Sequence, residues 1–519
     1  MLARVHSAAS FGIEARVLDV EVDVSSGLPS FTIVGLPDPS VREARERVRS
    51  ALRNSGFPIP PGAVTVNLAP AGFRKFGASL DLPVAVAFLK LAGLEPADNA
   101  RRVFVGELGL DGSVRPIRGT LCLALAAREE GFAEIALPAA NAAEAAAVDG
   151  IRVVAVRSLA ALVDHLRGSR PIPPFVSPPR AKTPSGGLDF ADVRGQTVAR
   201  RALEIAAAGG HHVLLVGPPG AGKTMLARRL PSVLPPLTRS EAIDVTRIHS
   251  VAGTLPAGEG LIETPPFRAP HHGISAPGLV GGGSRPAPGE ISLAHRGVLF
   301  LDELPEFRRD VLEGIRQPIE EKRVSIVRVG GAFSYPCDFL LVAAMNPCPC
   351  GFAGDPRRAC RCDPASRARY GRKLSGPLLD RIDLHVAVPA VPWSDLDRRS
   401  EEPSAAIRER VAGVRRRAAA RRPGREGFRN ADLTPAELDP RVSLEPAARR
   451  VLESAVERLG LSVRGLYRCL KVSRTIADLE GARTIARAHL AEAISFRLRE
   501  GDADAASTAR EPRPGTPPS

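Results

Sequence analysis

The chain runs to 519 residues, room for roughly two to four domains, and 44% of them are hydrophobic, ample for packed cores. No apolar run reaches the roughly 18 residues a membrane-spanning helix needs, and Met1-Leu2-Ala3-Arg4-Val5-His6 lacks the charged-then-apolar layout of a signal peptide, so the expectation is a cytoplasmic protein with no membrane partner. The formal charge of +14 permits binding to nucleic acid, but all except seven of the 71 Lys and Arg residues are Arg, and coding bias in a GC-rich genome explains that excess equally well.

Residues 1–168 read as an α/β unit. Val64-Thr65-Val66-Asn67-Leu68 alternates like a strand. Ser40 and Glu43 form a capping-box pattern ahead of Val41, Ala44, Val48 and Leu52, with Gly56 closing the run. An Ala-rich helix is expected over 121–129. Residues 169–187 are rich in Pro, Ser and Gly and read as a semi-rigid linker. A second unit is expected over 188–395. Beyond a Pro- and Asp-marked transition at 391–397, residues 396–500 read as helical and 501–519 as a disordered tail. No internal repeat is present.

Within the second unit, His211-His212-Val213-Leu214-Leu215-Val216 is a short apolar strand. It runs into Gly217-Pro218-Pro219-Gly220-Ala221-Gly222-Lys223-Thr224, and Met225-Leu226-Ala227-Arg228-Arg229-Leu230 then reads helical. This strand–loop–helix setting is what a G-x-x-x-x-G-K-[ST] phosphate loop requires; an ordinary glycine-rich turn is the plain alternative. The glycines let backbone N–H groups turn onto phosphate oxygens, and the helix N-terminus adds its positive dipole end. Lys223 is placed to reach the β- and γ-phosphates of ATP, and the Thr224 hydroxyl to ligate Mg²⁺.

A carboxylate partner is needed, and Val298-Leu299-Phe300-Leu301-Asp302-Glu303 supplies two acids at the C-terminal end of a buried strand, where ligands bind in open α/β sheets. Asp302 is the expected Mg²⁺ partner and Glu303 the group that polarises the attacking water. The strand Phe339-Leu340-Leu341-Val342-Ala343-Ala344-Met345 ends at Asn346, whose amide either holds that water or caps the strand. Arg381, in Leu378-Leu379-Asp380-Arg381-Ile382-Asp383, either stabilises transition-state charge from a neighbouring subunit or forms a structural Asp–Arg pair.

With these elements in place, the chain resembles the AAA+ ATPases related to the magnesium chelatase ATPase subunit, and within them the YifB/ComM family. The resemblance spans about residues 1–500. Besides the phosphate loop it rests on Asp189-Phe190-Ala191-Asp192-Val193-Arg194-Gly195-Gln196, Pro266-Phe267-Arg268-Ala269-Pro270-His271-His272 and Gly289-Glu290-Ile291-Ser292-Leu293-Ala294-His295. It rests equally on Asn346-Pro347-Cys348-Pro349-Cys350-Gly351 and Ser375-Gly376-Pro377-Leu378-Leu379-Asp380-Arg381-Ile382-Asp383. It implies a Lon-protease-like α/β N-terminal domain, an AAA+ P-loop α/β core and a helical C-terminal lid. Asn346 then corresponds to sensor 1, Arg381 to the arginine finger and Arg464, in Ser462-Val463-Arg464-Gly465-Leu466, to sensor 2. Such proteins form rings, usually homo-hexamers. Residues 323–339, with Gly330-Gly331 at the turn, resemble the hairpin that faces the central pore of related motors, making Arg328 a candidate pore contact.

In the N-terminal unit, Gly106-Glu107-Leu108-Gly109-Leu110-Asp111-Gly112-Ser113-Val114-Arg115-Pro116-Ile117 and Gly77-Ala78-Ser79-Leu80 resemble the Lon protease domain, with Ser79 near that family's nucleophile. A Ser–Lys dyad needs its base within hydrogen-bond reach. No lysine lies between Lys90 and Lys182, so no peptidase activity is expected.

Four cysteines, Cys348, Cys350, Cys360 and Cys362, crowd into one short stretch, while Cys122, Cys337 and Cys469 are scattered. Four soft ligands suit structural Zn²⁺; the C-x-C spacing is less usual than C-x₂-C, and free thiols or a redox pair are the alternative. The run Arg408-Glu409-Arg410, Arg415-Arg416-Arg417, Arg421-Arg422 and Arg425 is basic, as phosphate contacts or a solvated helix face would both make it. ComM-like proteins are linked to DNA branch migration in natural transformation, so the resemblance implies an ATP-driven motor on single-stranded or branched DNA. The alternatives are a magnesium chelatase ATPase subunit, inserting metal into a porphyrin, and a non-catalytic nucleotide-binding scaffold.

Overall fold

The computed structural model describes residues 1–177, 187–283, 286–328, 331–355, 357–392, 401–425, 427–438, 444–459 and 462–497. The expected tail at 501–519, the second half of the expected linker and Gly330 lie outside them. The fold is mixed α/β and multidomain.

The N-terminal part is built on strands β1 (Leu2–Phe11), β2 (Glu14–Ser25), β3 (Ser30–Val34), β4 (Ala63–Ala69), β5 (Arg102–Phe104), β6 (Glu134–Pro138) and β7 (Arg152–Val156), in the order β3-β4-β2-β1-β5-β6-β7. β1 and β2 pair antiparallel from Leu2↔Asp23 to Phe11↔Glu14. The predicted strand at 64–68 is β4, whose Val64, Val66 and Leu68 alternate into the core. Helix α1 (Ala44–Asn54) closes at Gly56, with φ of 78° in the left-handed region. Its predicted start is corrected. Glu43 precedes α1 without a side-chain cap, and Asp38 caps a short turn ahead of it, accepting from Val41 N at 2.9 Å, while the Ser40 hydroxyl donates to Asp38 Oδ1 at 2.7 Å. The carboxylate is the stronger acceptor for the exposed N–H groups, and Pro39 starts a separate short turn, so helix and turn break at Glu43. Helix α2 (Asp81–Leu91) is buried from Asp81 to Leu89, as a helix apolar all round must be. Helix α3 (Thr120–Glu129) matches the expected Ala-rich helix.

The first half of the Pro-rich stretch is not a free linker. Ile172 packs on the N-terminal core, and Phe175 N donates to Val153 O at 2.8 Å; two apolar side chains suffice to dock it.

The second sheet consists of β8 (Val213–Val216), β9 (Phe267–Arg268), β10 (Val298–Leu301), β13 (Leu340–Met345) and β14 (Leu384–Ala387), all parallel, in the order β9-β10-β13-β8-β14. Successive residues point to opposite faces. Leu215, Phe300, Val342 and Val386 join one cluster, while Leu214, Leu299, Leu301 and Leu341 join another. Burial on both faces is why these strands read as continuous apolar runs rather than alternating ones. Between β10 and β13, the hairpin β11 (Arg323–Arg328) and β12 (Gly331–Pro336) projects from the sheet. The Phe333 ring stacks on Phe11 of β1 with centroids 4.4 Å apart, which fastens the hairpin to the N-terminal sheet.

The C-terminal part is helical: α4 (Ser404–Ala420), α5 (Pro446–Leu459), α6 (Val463–Leu479) and α7 (Arg487–Ser495). Ile407, Val411, Val472 and Ile476 enter the cluster under β8 and β13, so these helices share a core with the sheet. Ile476 is fully buried. Replacing it with Ala should cost about 2–5 kcal/mol, seen as a lower urea midpoint; an unchanged midpoint would mean the helices detach independently of the sheet. No helix among the described residues is long and apolar enough to cross a membrane.

Candidate nucleotide site

Strand β8 ends between two parallel neighbours, Val216 lying opposite Met345 on one side and Ala387 on the other. The chain then turns through the glycine-rich loop. A Cβ at Gly217 would lie 2.1 Å from Val388 O, and Gly220 and Gly222 adopt φ of 78° and 91°, positions that suit residues without a side chain. Helix α8 (Lys223–Val233) follows at once. Lys223 folds back into the loop and donates to Gly217 O at 2.7 Å, Pro218 O at 2.9 Å and Asn346 Oδ1 at 3.2 Å. Burial lowers its pKa, against the opposing pull of Asp302 and Glu303.

The Thr224 hydroxyl donates to Asp302 Oδ2 at 2.7 Å, although the two residues come from a helix and from the end of β10. Asp302 Oδ1 accepts from Glu303 N at 2.9 Å. Glu303 itself sits at φ 51°, a left-handed conformation that a non-glycine residue rarely takes. Its exposed carboxylate lies 3.3 Å from His272 Nδ1. That partner was not assigned from sequence, and the one available signal was the Pro270-His271-His272 run beyond β9. Lys223, Thr224, Asp302, Glu303 and Asn346 therefore converge at the C-terminal ends of three adjacent parallel strands. The hard oxygens of Thr224 and Asp302, already in contact, are the donor type that Mg²⁺ takes.

Arg381 and Arg464 are elsewhere. Arg381 Nη2 lies 2.8 Å from Glu320 Oε1, and its Nη1 donates to Pro377 O at 2.7 Å. Arg464, in the first turn of α6, approaches the same Glu320 oxygen at 3.6 Å. The two expected charge donors thus share one carboxylate, and their described contacts do not include the glycine-rich loop of their own chain. Arg328 stands exposed at the hairpin end beside Val327.

Four arginines of the basic run at 408–425 also make contacts within the chain. Arg408 Nε donates to Ser232 O at 2.9 Å, Arg410 pairs with Glu204 at 2.6 Å, Arg415 donates to Ala207 O at 2.8 Å and Arg421 to Asp478 Oδ2 at 2.8 Å. These contacts tie the segment to its neighbours, yet Arg410 and Arg421 stay exposed, as do Arg416, Arg417, Arg422 and Arg425.

After β13 the chain enters the four-cysteine loop. Cys348 Sγ lies 3.4 Å from Cys350 Sγ and 3.7 Å from Cys360 Sγ, and Cys350 and Cys360 are 3.7 Å apart. With Cys362 all four sulfurs fall within 4.8 Å of one another, a group able to hold a metal ion.

Three family descriptions match the chain in succession: "Subunit ChlI of Mg-chelatase" over residues 20–141, "Magnesium chelatase, subunit ChlI" over 189–396 and "Magnesium chelatase, subunit ChlI C-terminal" over 401–497. The competence protein ComM of Haemophilus influenzae is 44% identical over 504 residues, 96% of this chain and 97% of that one. The YifB protein of Escherichia coli is 41% identical over 500 residues, again 96% and 97%. The magnesium-chelatase 38 kDa subunit of Rhodobacter capsulatus is 27% identical over 348 residues, 62% of this chain and 92% of that subunit.

Proposed function

The chain belongs to the YifB/ComM family of magnesium-chelatase-like AAA+ ATPases, and from that premise we propose that it hydrolyses ATP as a ring of identical subunits, a homo-hexamer, and spends the cycle moving single-stranded or branched DNA. The observation that carries the hydrolytic reading is the meeting of Lys223, Thr224, Asp302, Glu303 and Asn346 at the ends of β8, β10 and β13. The phosphates of ATP take the place now filled by the Lys223 ammonium, which swings from the loop carbonyls to the β- and γ-oxygens. Thr224 and Asp302 would hold Mg²⁺, which would supply positive charge to the phosphates. Glu303 leaves His272 and accepts a proton from the attacking water, while the Asn346 amide fixes that water's position. Arg381 and Arg464 act on the neighbouring subunit's nucleotide, a role supported by their lying together at Glu320 rather than at their own loop.

In the same reading residues 1–168 form a Lon-protease-like domain without peptidase activity and 396–500 a helical lid. Lys75 Nζ donates to Pro70 O and Lys90 Nζ to Arg4 O, which supports the absence of a Ser79–Lys dyad.

The DNA assignment draws on the relative named a competence protein, matched across 96% of this chain against 62% for the chelatase subunit. It draws too on the exposed arginines of α4 and the hairpin. Single-stranded or branched DNA should raise ATP turnover in an assay at defined salt, and the effect should fade as salt rises. Normal basal turnover with no response to any DNA would remove the DNA reading and leave the ATPase.

A further inference from the structure

Three of the sulfurs, those of Cys348, Cys350 and Cys360, lie 3.4–3.7 Å apart, and with Cys362 all four fall within 4.8 Å, spaced for a shared ion. A tetrahedral Zn²⁺ with Zn–S bonds of about 2.3 Å has S–S edges of about 3.8 Å, whereas a disulfide needs about 2.05 Å. The surrounding backbone is arranged for thiolates. Ala353 N donates to Cys348 Sγ at 3.3 Å. Hydrogen bonds of this kind orient and steady the ligands of a metal centre.

The loop these cysteines close lies directly on the nucleotide site. Cys348 is two residues beyond Asn346, and Gly351, held at φ 86°, presses on the phosphate loop. A Cβ at Gly351 would fall 2.5 Å from Pro219 Cδ and 3.9 Å from the Asn346 side chain. Pro347, Ala353, Gly354 and Asp355 share a cavity of about 580 Å³ with Gly217 and Pro218. Gly351 N donates to Cys348 O at 3.0 Å, so the position of Gly351 follows that of the cysteine turn.

We infer that the Cys348–Cys350–Cys360–Cys362 cluster is a zinc site whose ion clamps Gly351 against Pro219 and thereby sets the phosphate loop for ATP. This deepens the ATPase reading and rests on it. The site binds Zn²⁺ as four thiolates, releasing their protons, and takes no part in the chemistry. Its work is positional: it locks the end of β13, carrying Asn346, to the loop that Lys223 closes.

The test uses the full-length chain, purified without chelator. Elemental analysis should give one zinc per chain, and Co²⁺ put in its place should show thiolate-to-cobalt absorption. The doubly substituted Cys360→Ala/Cys362→Ala chain should lose the zinc and bind a fluorescent ATP analogue about tenfold more weakly. Gly351→Ala covers the case in which that variant fails to fold: it keeps all four thiolates, so zinc content should stay at one per chain while ATP affinity falls to a similar extent. A wild-type chain with no zinc and no cobalt absorption overturns the site. A metal-stripped chain and a Gly351→Ala chain that both bind ATP as tightly as wild type overturn the clamp. Undiminished binding by Lys223→Ala would instead defeat the nucleotide-site reading beneath both.

Discussion

Replacing Glu303 by Gln should leave ATP binding intact and lower turnover by roughly two to four orders of magnitude, the range attributable to a lost general base. The amide keeps the shape of the side chain but cannot take the proton of the attacking water. Thr224 and Asp302, the proposed metal-holding pair, are untouched, and so is Lys223. Binding of a fluorescent nucleotide and steady-state hydrolysis, measured on the same preparation, separate the two effects. Retained turnover would move water activation to another group. The 3.3 Å contact with His272 adds a second expectation. His272→Ala frees the Glu303 carboxylate and should raise basal turnover, because the wild-type chain must first part that pair.

Arg381→Ala should also bind ATP normally, with turnover lower by roughly three to five orders of magnitude, the span associated with an arginine finger. A purely structural role within its own chain, as the Glu320 partner, would give a different outcome. The ring test is mixing. Lys223→Ala subunits cannot hold ATP but still carry Arg381, so adding them to Arg381→Ala subunits should restore activity at the interfaces where an intact arginine meets an intact loop. Failure of every mixture to recover turnover, alongside a lowered melting temperature of the single variant, would assign Arg381 to folding instead.

The site was legible wherever its residues are neighbours in sequence. Gly217 to Thr224 and the Asp302-Glu303 pair each sit on one strand end, where an apolar run and the residues following it are visible together. The Thr224–Asp302 contact follows once both strands are recognised as parallel members of one sheet, with β13 between them. The His272–Glu303 pair was not legible, because it depends on β9 lying beside β10 in the sheet. The cap of the first helical turn was misjudged by two positions because Ser40 and Asp38 are both good caps, and only the fold shows that the serine is spent on the aspartate. Charge was the least informative signal. The arginines of α4 are plain in the sequence, but their carbonyl and carboxylate partners on distant elements are not, and these fasten side chains of which several still face solvent. In the four-cysteine loop the four thiols are plain in the sequence; the press of Gly351 on Pro219 is a property of the folded chain alone.

The stack of Phe11 on Phe333 bears on how force would travel. Phe11 is the last residue of β1, and Phe333 lies within β12, near the tip that would touch a polymer threading the ring. An aromatic pair of this kind is worth about 1 kcal/mol beyond its buried area, small against the free energy of one nucleotide turnover. It is one tie among several, with Gly119 N donating to Ser250 O at 3.1 Å, Arg247 to Ile13 O at 2.8 Å and Arg239 paired with Asp149 at 2.6 Å. If the hairpin moves as the proposed function requires, the N-terminal sheet would travel with it, as a load shared over all of these contacts.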